Sequence, residues 1–529
     1  MMQVLNWNEE QQQAIEACSA GSSVVITGSG GTGKTTLMKE AVRRCTTAEW
    51  MPRISRATKV LRAGEAGIVV VSYTRTAVNN IREKLEGAAT CSTIHALLEF
   101  QPTEIDVPTK DGGWKKSRVF MPARDAMNPL PKELRTIVID EAGIVSLDLF
   151  AKLLDALPNP DNVQFICLGD LAQLTPPYDH SILGFTLNHR KVVELTKVYR
   201  QALQSPILRF ALQIKDGQTW GSNQFASICE DGEHGSMTVK ALPANMDEFV
   251  CAEAAGRYLQ KEWEAGRYAE HETIVICPFG DTAASKHPEL KFSARNLNVS
   301  IAQFLGDARS AEIWEVRTGF RNLYLAVGDR VLIDKERGII RSISPNRLYG
   351  GTPPQAPSKF LTRKGFLPTE HRKGATYLSV DDMLHEMPDS SNMVRAASAV
   401  VEVEMDDGEL VILKNAGDFT EAKFSLGYAI TAYKSQGQEW ERVYIFTHKA
   451  HSMMATREFY YTAVTRAKRH CTLLCEPTHL FKMKQEVAGK TWQEKAAYFQ
   501  QRSFQESLLR FPDVKLWLAE GSIEEEGGN

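Results

Sequence analysis

Eight consecutive residues, Gly28-Ser29-Gly30-Gly31-Thr32-Gly33-Lys34-Thr35, carry the densest chemistry in this 529-residue chain. Glycines at that spacing let backbone N–H groups curl around an anion, and a helix opening at the lysine adds positive potential. The pattern suits a triphosphate. Lys34 reaches the β and γ phosphates, Thr35 offers its hydroxyl to Mg²⁺, and Thr36 follows in the helix. A glycine-rich turn without a ligand is the bland alternative. The apolar run SSVVIT ahead of the loop argues against it.

A nucleotide site also needs carboxylates. Ile137-Val138-Ile139-Asp140-Glu141 ends an apolar strand in two acids. Asp140 is expected to hold Mg²⁺, directly or through water, and Glu141 to orient and deprotonate the attacking water. Adjacent acids at a strand end can also be helix caps; the phosphate loop upstream favours the catalytic reading.

The surrounding elements can position these groups. SSVVITG, AGIVVVS, RTIVIDE and NVQFICLGD are short apolar runs bounded by Gly or Asp, alternating with helical stretches. They predict a parallel sheet buried on both faces, with ligands at the carboxyl ends of its strands. A second set, ETIVICPF, ERVYIFTH and CTLLCEP, predicts a second α/β domain. Between them, about 327–421 reads as a small inserted β-barrel, with a basic, loop-like middle from Ile339 to Arg395. EIDVPT and WKKSRVFMP, around Asp111-Gly112-Gly113, read as a β-hairpin. Trp114 beside that turn either stacks on a flat partner group or packs on the domain below. The tail EGSIEEEGGN predicts disorder.

Composition narrows the classes. No apolar run reaches membrane-spanning length, and the first residues lack a secretion-signal layout. The expectation is a cytoplasmic protein without a membrane partner. Nine cysteines form no CxxC pair, which excludes the common zinc sites and favours free buried thiols. A net charge of −3 neither supports nor excludes nucleic acid, since a strand-gripping groove needs only local positive charge. Arg53, Arg56, Lys59 and Arg62 form a basic ladder, either a strand contact or a solvated face.

Taken in order, several segments resemble superfamily 1 helicases, most closely the superfamily 1B branch of RecD and phage Dda helicases. Glu10-Gln11-Gln12-Gln13 resembles the glutamine motif, and the phosphate loop resembles motif I. Ser72–Ala77 resembles motif Ia, Ser92–His95 the Thr-Ile-His element, and Asp140–Gly143 motif II. Gly169–Pro176 resembles motif III, Tyr199-Arg200-Gln201 motif IV, Tyr433–Glu439 motif V, and Tyr461–Lys468 motif VI. One departure is Tyr433, where the family usually has a histidine.

The resemblance implies an α/β fold of two RecA-like P-loop NTPase domains. A β-hairpin is inserted in the first and an SH3-like β-barrel in the second. The expected domains are 1A over 1–95 and 132–200, 1B over 96–131, and 2A over 201–325 and 421–480. Barrel 2B is expected over 326–420, with a helical extension and acidic tail over 481–529. Catalysis is expected from Lys34, Asp140, Glu141, Gln173, Arg200 and Arg466, the two arginines reaching the γ-phosphate from the second domain. Gln11 reads adenine and Glu439 accepts from the sugar. Ser29, Gly30, Gly31, Thr32 and Gly33 surround the phosphates, with Thr35 and Asp140 on the metal. Strand contacts are expected from Thr74, Arg75, Thr93, His95 and Trp114, and from Thr431, Tyr433 and Lys434.

The implied activity is ATP-dependent unwinding of DNA with 5′-to-3′ travel on a single strand, in replication, recombination or repair. The expected cofactors are ATP and Mg²⁺. Expected partners are single-stranded DNA, single-strand/duplex junctions, and single-strand-binding or replication proteins, with the chain a monomer. An RNA helicase and a non-catalytic loading or scaffold module are the alternatives. No nuclease signature is present.

Overall fold

Alternate side chains of the first strands point to opposite faces, and both faces are apolar. That pattern obliges the sheet to be covered twice. The computed structural model describes residues 7–108, 113–176, 179–218, 229–242, 247–280, 291–318, 321–333, 336–349, 396–475 and 491–520. The chain divides into two compact units, Met1–Asp216 with Gln485–Asn529, and Gly217–Lys484.

In unit 1, strands β1 (Val24–Gly28), β2 (Ile68–Ser72), β3 (Thr90–Thr93), β6 (Thr136–Ile139), β7 (Gln164–Gly169) and β8 (Lys191–Leu195) form one sheet. Its order is β3-β2-β6-β7-β1-β8, and every pairing is parallel. Val24, Ile26, Val70, Ile166 and Leu168 face helices α1 (Glu9–Ser19), α2 (Lys34–Thr47) and α3 (Arg75–Leu85). Val25, Val69, Val71, Ile137, Phe165 and Cys167 face the other way. The short helix α4 (Ile94–Leu97) follows β3.

Strands β4 (Gln101–Pro108) and β5 (Trp114–Met121) pair antiparallel from Gln101↔Met121 to Pro108↔Trp114. They form the expected hairpin; Lys110, Asp111 and Gly112 of its turn lie outside the described residues. Helices α5 (Leu147–Asp155) and α6 (Ile182–Thr186) cover the second face, and α7 (Arg200–Leu203) and α8 (Pro206–Lys215) end this part of the chain.

Unit 2 opens with β9 (Cys229–Gly232) and β10 (Gly235–Ala241). Helix α9 (Glu248–Glu264), β11 (Thr273–Ile276) and α10 (Ala294–Ala308) follow. The inserted region holds a hairpin of β12 (Trp314–Thr318) and β13 (Arg321–Leu325). Beside it β14 (Arg330–Ile333), β15 (Glu336–Pro345), β16 (Ala396–Met405), β17 (Leu410–Asn415) and β18 (Ser425–Leu426) form an antiparallel sheet in the order β17-β16-β15-β14-β18. Residues 339–345, expected as loop, are therefore strand. GIIRSIS alternates buried and less buried positions, which suits a one-sided sheet. Residues 350–395 lie outside the described residues.

Helix α11 (Ala416–Glu421) precedes β18, and β19 (Ala429–Ile430) leads into α12 (Ala432–Ser435). Then β20 (Trp440–Phe446), α13 (Arg457–Val464) and β21 (Ala467–Cys475) complete a sheet of order β19-β11-β20-β21-β10-β9, parallel except for its β9 edge.

The chain then returns to unit 1. Helices α14 (Trp492–Phe499), α15 (Arg502–Leu508) and α16 (Pro512–Glu520) lay Ala496, Phe499, Leu508, Val514 and Trp517 into the second face of the first sheet. The Trp517 ring lies 4.9 Å from Phe150 and 5.2 Å from Phe165, with the Arg190 guanidinium 4.0 Å above it. Arg190 also donates to the carbonyls of Trp517 (2.6 Å) and Leu518 (3.2 Å). Residues 521–529, expected to be disordered, lie outside the described residues.

All nine cysteines are free and eight are buried, Cys229 alone being exposed. Among the described residues, no helix is long and apolar enough to cross a membrane.

Because Trp517 fills the second face from outside the sheet, Trp517→Ala should destabilise unit 1 by about 3–5 kcal/mol. A urea melt should show one transition moved to lower denaturant and the other in place; an unmoved melt would mean that this docking is not a stability element.

Candidate nucleotide site

The carboxyl ends of the parallel strands gather the polar groups of unit 1. β1 runs into the phosphate loop, β6 into Asp140-Glu141 and β7 into Asp170. Gly31 (φ 78°) and Gly33 (φ 87°) take left-handed backbone that a side chain resists. Space forbids a side chain there as well. A Cβ on Gly31 would meet Ala202 Cβ at 2.6 Å, and one on Gly33 would meet Gln11 Nε2 at 2.9 Å. Buried Thr32 ties the loop together by donating from Oγ1 to the Ser29 carbonyl at 2.8 Å. Thr35 is half-buried and Thr36 exposed in the first turn of α2.

Lys34 folds back on the loop. Its Nζ donates to the carbonyls of Gly28 (2.5 Å) and Ser29 (3.0 Å). Burial lowers its ammonium from the ordinary value, Asp170, Asp140 and Glu141 push it back up, and Lys215 opposes them. Burial likewise raises the Asp140 carboxyl, while a backbone hydrogen bond from Glu141 and the charges of Lys34 and Lys84 pull it down. Three acids thus bear on one ammonium, in a place that penalises every charge. A hydroxyl at Thr35 with carboxylates at Asp140 and its neighbours is a hard-oxygen donor set, which suits Mg²⁺.

Glu141 sits at φ 53°, a left-handed conformation that costs a non-glycine residue about 1 kcal/mol. Gln173 is half-buried and donates from its backbone N–H to the Asp170 carbonyl at 3.1 Å.

Gln11 is fully buried and makes three connections. It completes a capping box with Asn8, its backbone N–H donating to Asn8 Oδ1 at 2.8 Å. Its Nε2 donates to the Thr32 carbonyl at 3.3 Å, and its Oε1 accepts from the Tyr199 hydroxyl at 2.7 Å. The Tyr199 backbone N–H reaches the Gly31 carbonyl at 3.1 Å.

Arg200 therefore starts its helix in unit 1, next to the phosphate loop. The expectation that it reaches in from the second domain is corrected: the strand order carries the chain past β8 and back over the loop before it leaves unit 1. Sequence reasoning also missed Asp170, the Tyr199 hydroxyl and Lys215. Lys215 donates to Ser29 Oγ at 2.5 Å from the end of α8. Asp170 and Tyr199 lay inside quoted motifs; Lys215 had no motif to flag it.

The candidate strand contacts of unit 1 follow the same sheet edge. Thr74 is buried and caps α3, accepting from Ala77 N–H, and Arg75 beside it is exposed. Thr93 caps α4. The His95 ring lies 5.5 Å from Tyr73 and 4.8 Å from Phe100, edge-on to both. Trp114 is 73% exposed, so it does not pack on the domain below. Arg53, Arg56, Lys59 and Arg62 are all exposed.

Unit 2 holds its own group. Thr431 caps α12, which carries half-buried Tyr433 and Lys434, and Glu439 is exposed. Arg466 is buried, its guanidinium donating to the carbonyls of Thr462 (3.0 Å) and Gln438 (3.3 Å) and to Thr465 Oγ1 (3.2 Å).

Residues 6–233 match the family described as AAA domain, and residues 426–474 match the one described as UvrD-like helicase C-terminal domain. The ATP-dependent RecD2 DNA helicase of Deinococcus radiodurans is 24% identical over 467 residues, 87% of this chain and 48% of that protein. The RecBCD enzyme subunit RecD of Mycolicibacterium smegmatis is 24% identical over 475 residues, 87% of this chain and 69% of that one. Over most of its length the chain is similar to RecD2 and RecD. It spans about half the length of the RecD2 relative. A crystal structure of Bacteroides Pif1 bound to ssDNA aligns with this chain over 88% of its length and 92% of the other, at 16% identity and a TM-score of 0.42.

Gly33→Ala should strain the loop by about 1–2 kcal/mol and displace Gln11 and Tyr199. Its affinity for a fluorescent ADP analogue should fall at least about tenfold; wild-type affinity would show that Gln11 and Tyr199 yield without disturbing the cradle.

Proposed function

We propose that this chain is an ATP-dependent DNA helicase that moves 5′ to 3′ along a single strand and unwinds the duplex ahead. The observation that carries the reading is the cluster around Lys34, an ammonium flanked by Asp140, Glu141 and Asp170 on a glycine cradle. Such a cluster is balanced when a polyanion and a cation enter together. The polarity rests on family resemblance alone.

In this reading unit 1 serves as lobe 1A with the hairpin as 1B. Unit 2 serves as lobe 2A with its antiparallel insertion as an SH3-like 2B barrel. Lys34 and the loop N–H groups hold the phosphates, and Gln11 reads the adenine. Thr35 and Asp140 hold Mg²⁺, which when bound neutralises phosphate charge. Glu141 takes the proton of the attacking water, and Gln173 links the γ-phosphate region to the strand surface. Arg466 of unit 2 and Arg200 beside the loop supply positive charge to the γ-phosphate.

ATP favours one arrangement of the two lobes and its hydrolysis products favour another, so alternating grips become steps. Thr74, Arg75, Thr93, His95, Thr431, Tyr433 and Lys434 contact the strand, hydroxyls and cations on phosphates and rings on bases. Trp114 on the hairpin stacks at the junction. The protein works as a cytoplasmic monomer alongside single-strand-binding or replication proteins.

The deciding experiment is unwinding of DNA carrying either a 5′ or a 3′ tail, with a matched RNA duplex. Activity on the 5′-tailed DNA alone is expected. Preference for RNA would reassign the substrate, and absence of strand-stimulated ATPase would leave a loading or scaffold module. Lys34→Ala should abolish hydrolysis and unwinding together, and unwinding that survives it would remove this site from the mechanism. Trp114→Ala should lower unwinding several-fold while sparing strand-stimulated ATPase. Equal loss of both rates would refute a role at the junction.

A further inference from the structure

Lys495 is the one lysine of α14, and it is buried to 5% exposure. Its ammonium donates to the backbone carbonyl of Leu171, 324 residues away in sequence. Leu171 follows Asp170 and stands two residues before Gln173, in the loop after β7. Within the loop, Ala172 N–H donates to Asp170 Oδ1 at 3.0 Å and Gln173 N–H to the Asp170 carbonyl at 3.1 Å. Such bonds fix its shape but not its position on the sheet.

Helix α14 is in turn fixed against unit 1. Phe499 fills the place where a Cβ on Gly184 would sit, 2.2 Å from its ring, and Asn188 Nδ2 donates to the Ala496 carbonyl at 2.9 Å. A buried ammonium is costly wherever packing alone is required, and a leucine would serve packing better. The lysine therefore answers to something polar. Glu194, near the end of β8, lies within electrostatic reach of both Lys215 and Lys495.

We infer that Lys495 is a positioning residue for the 169–173 loop, and that the C-terminal helices hold Gln173 in register with the phosphate loop. The inference rests on the helicase reading, since positioning Gln173 matters only if it couples nucleotide to strand. A loop released from Lys495 still folds and the cradle still binds nucleotide. What weakens is the response of hydrolysis to the strand.

The test uses the full chain and three variants, K495M, K495R and W517A. For K495M, kcat with saturating oligo(dT) should fall roughly tenfold, the effect expected from losing one charge-assisted hydrogen bond. Its KM for ATP, its strand-free rate and its affinity for a fluorescent ADP analogue should stay at wild type. K495R should recover most of the loss. W517A, which loses more stability without touching Leu171, should keep its stimulation. K495M stimulated like wild type overturns the inference, as does stimulation that falls in step with melting temperature across all three variants. A wild-type chain that no strand stimulates overturns the helicase reading itself, and the coupling role with it.

Discussion

The constraint on which unit 1 depends is electrostatic: one lysine ammonium, half-buried, set among three acids and two backbone carbonyls. Burial disfavours the charge on Lys34 and on Asp140 alike. Neither is comfortable alone, and removing one would strand the other. Only the edge of a parallel sheet supplies so many groups without burying unsatisfied backbone, because adjacent strands all deliver their following loops to one side. The phosphate loop, Asp140 and Asp170 share that edge because β1, β6 and β7 run the same way.

Much of this was legible beforehand, and the reason is chemical. Phosphate binding needs glycines at particular places, and metal binding needs an acid at a strand end; both leave short local signatures. Gly31 and Gly33 adopt the left-handed backbone that their identity implies. The alternation of SSVVIT and RTIVID between two apolar faces was equally readable. The Asn8–Gln11 box is visible as a spacing, but the onward bonds of Gln11 to Thr32 and Tyr199 cross 21 and 188 residues. No spacing rule reaches that far.

Illegible features were those in which a residue acts at a distance. Lys215 and Lys495 look like ordinary helix lysines until the fold brings one to Ser29 and the other to Leu171. The side of the site on which Arg200 sits depends on how the chain turns after β8, which topology decides and composition does not. Residues 339–345 read as loop because the basic stretch that follows masked their two-residue alternation; in the sheet, that alternation is what separates covered from open positions.

The C-terminal helices follow from arithmetic of coverage. A six-stranded sheet with two apolar faces needs both covered. Three helices, α1 to α3, serve one face. Locally the other face receives α5, the short helices α4 and α6, and loop residues such as Ile54, Leu61, Leu130 and Leu134. The shortfall is made up from the far end of the chain, where Phe499, Val514 and Trp517 pack among Phe150, Phe165 and Phe185. A segment recruited to complete a core also acquires neighbours, and the loop after β7 is one of them. Coverage and positioning are thereby divided among neighbouring helices: α16 fills the sheet face with Trp517, while α14 sets Phe499 into the core and Lys495 behind the loop that carries Gln173.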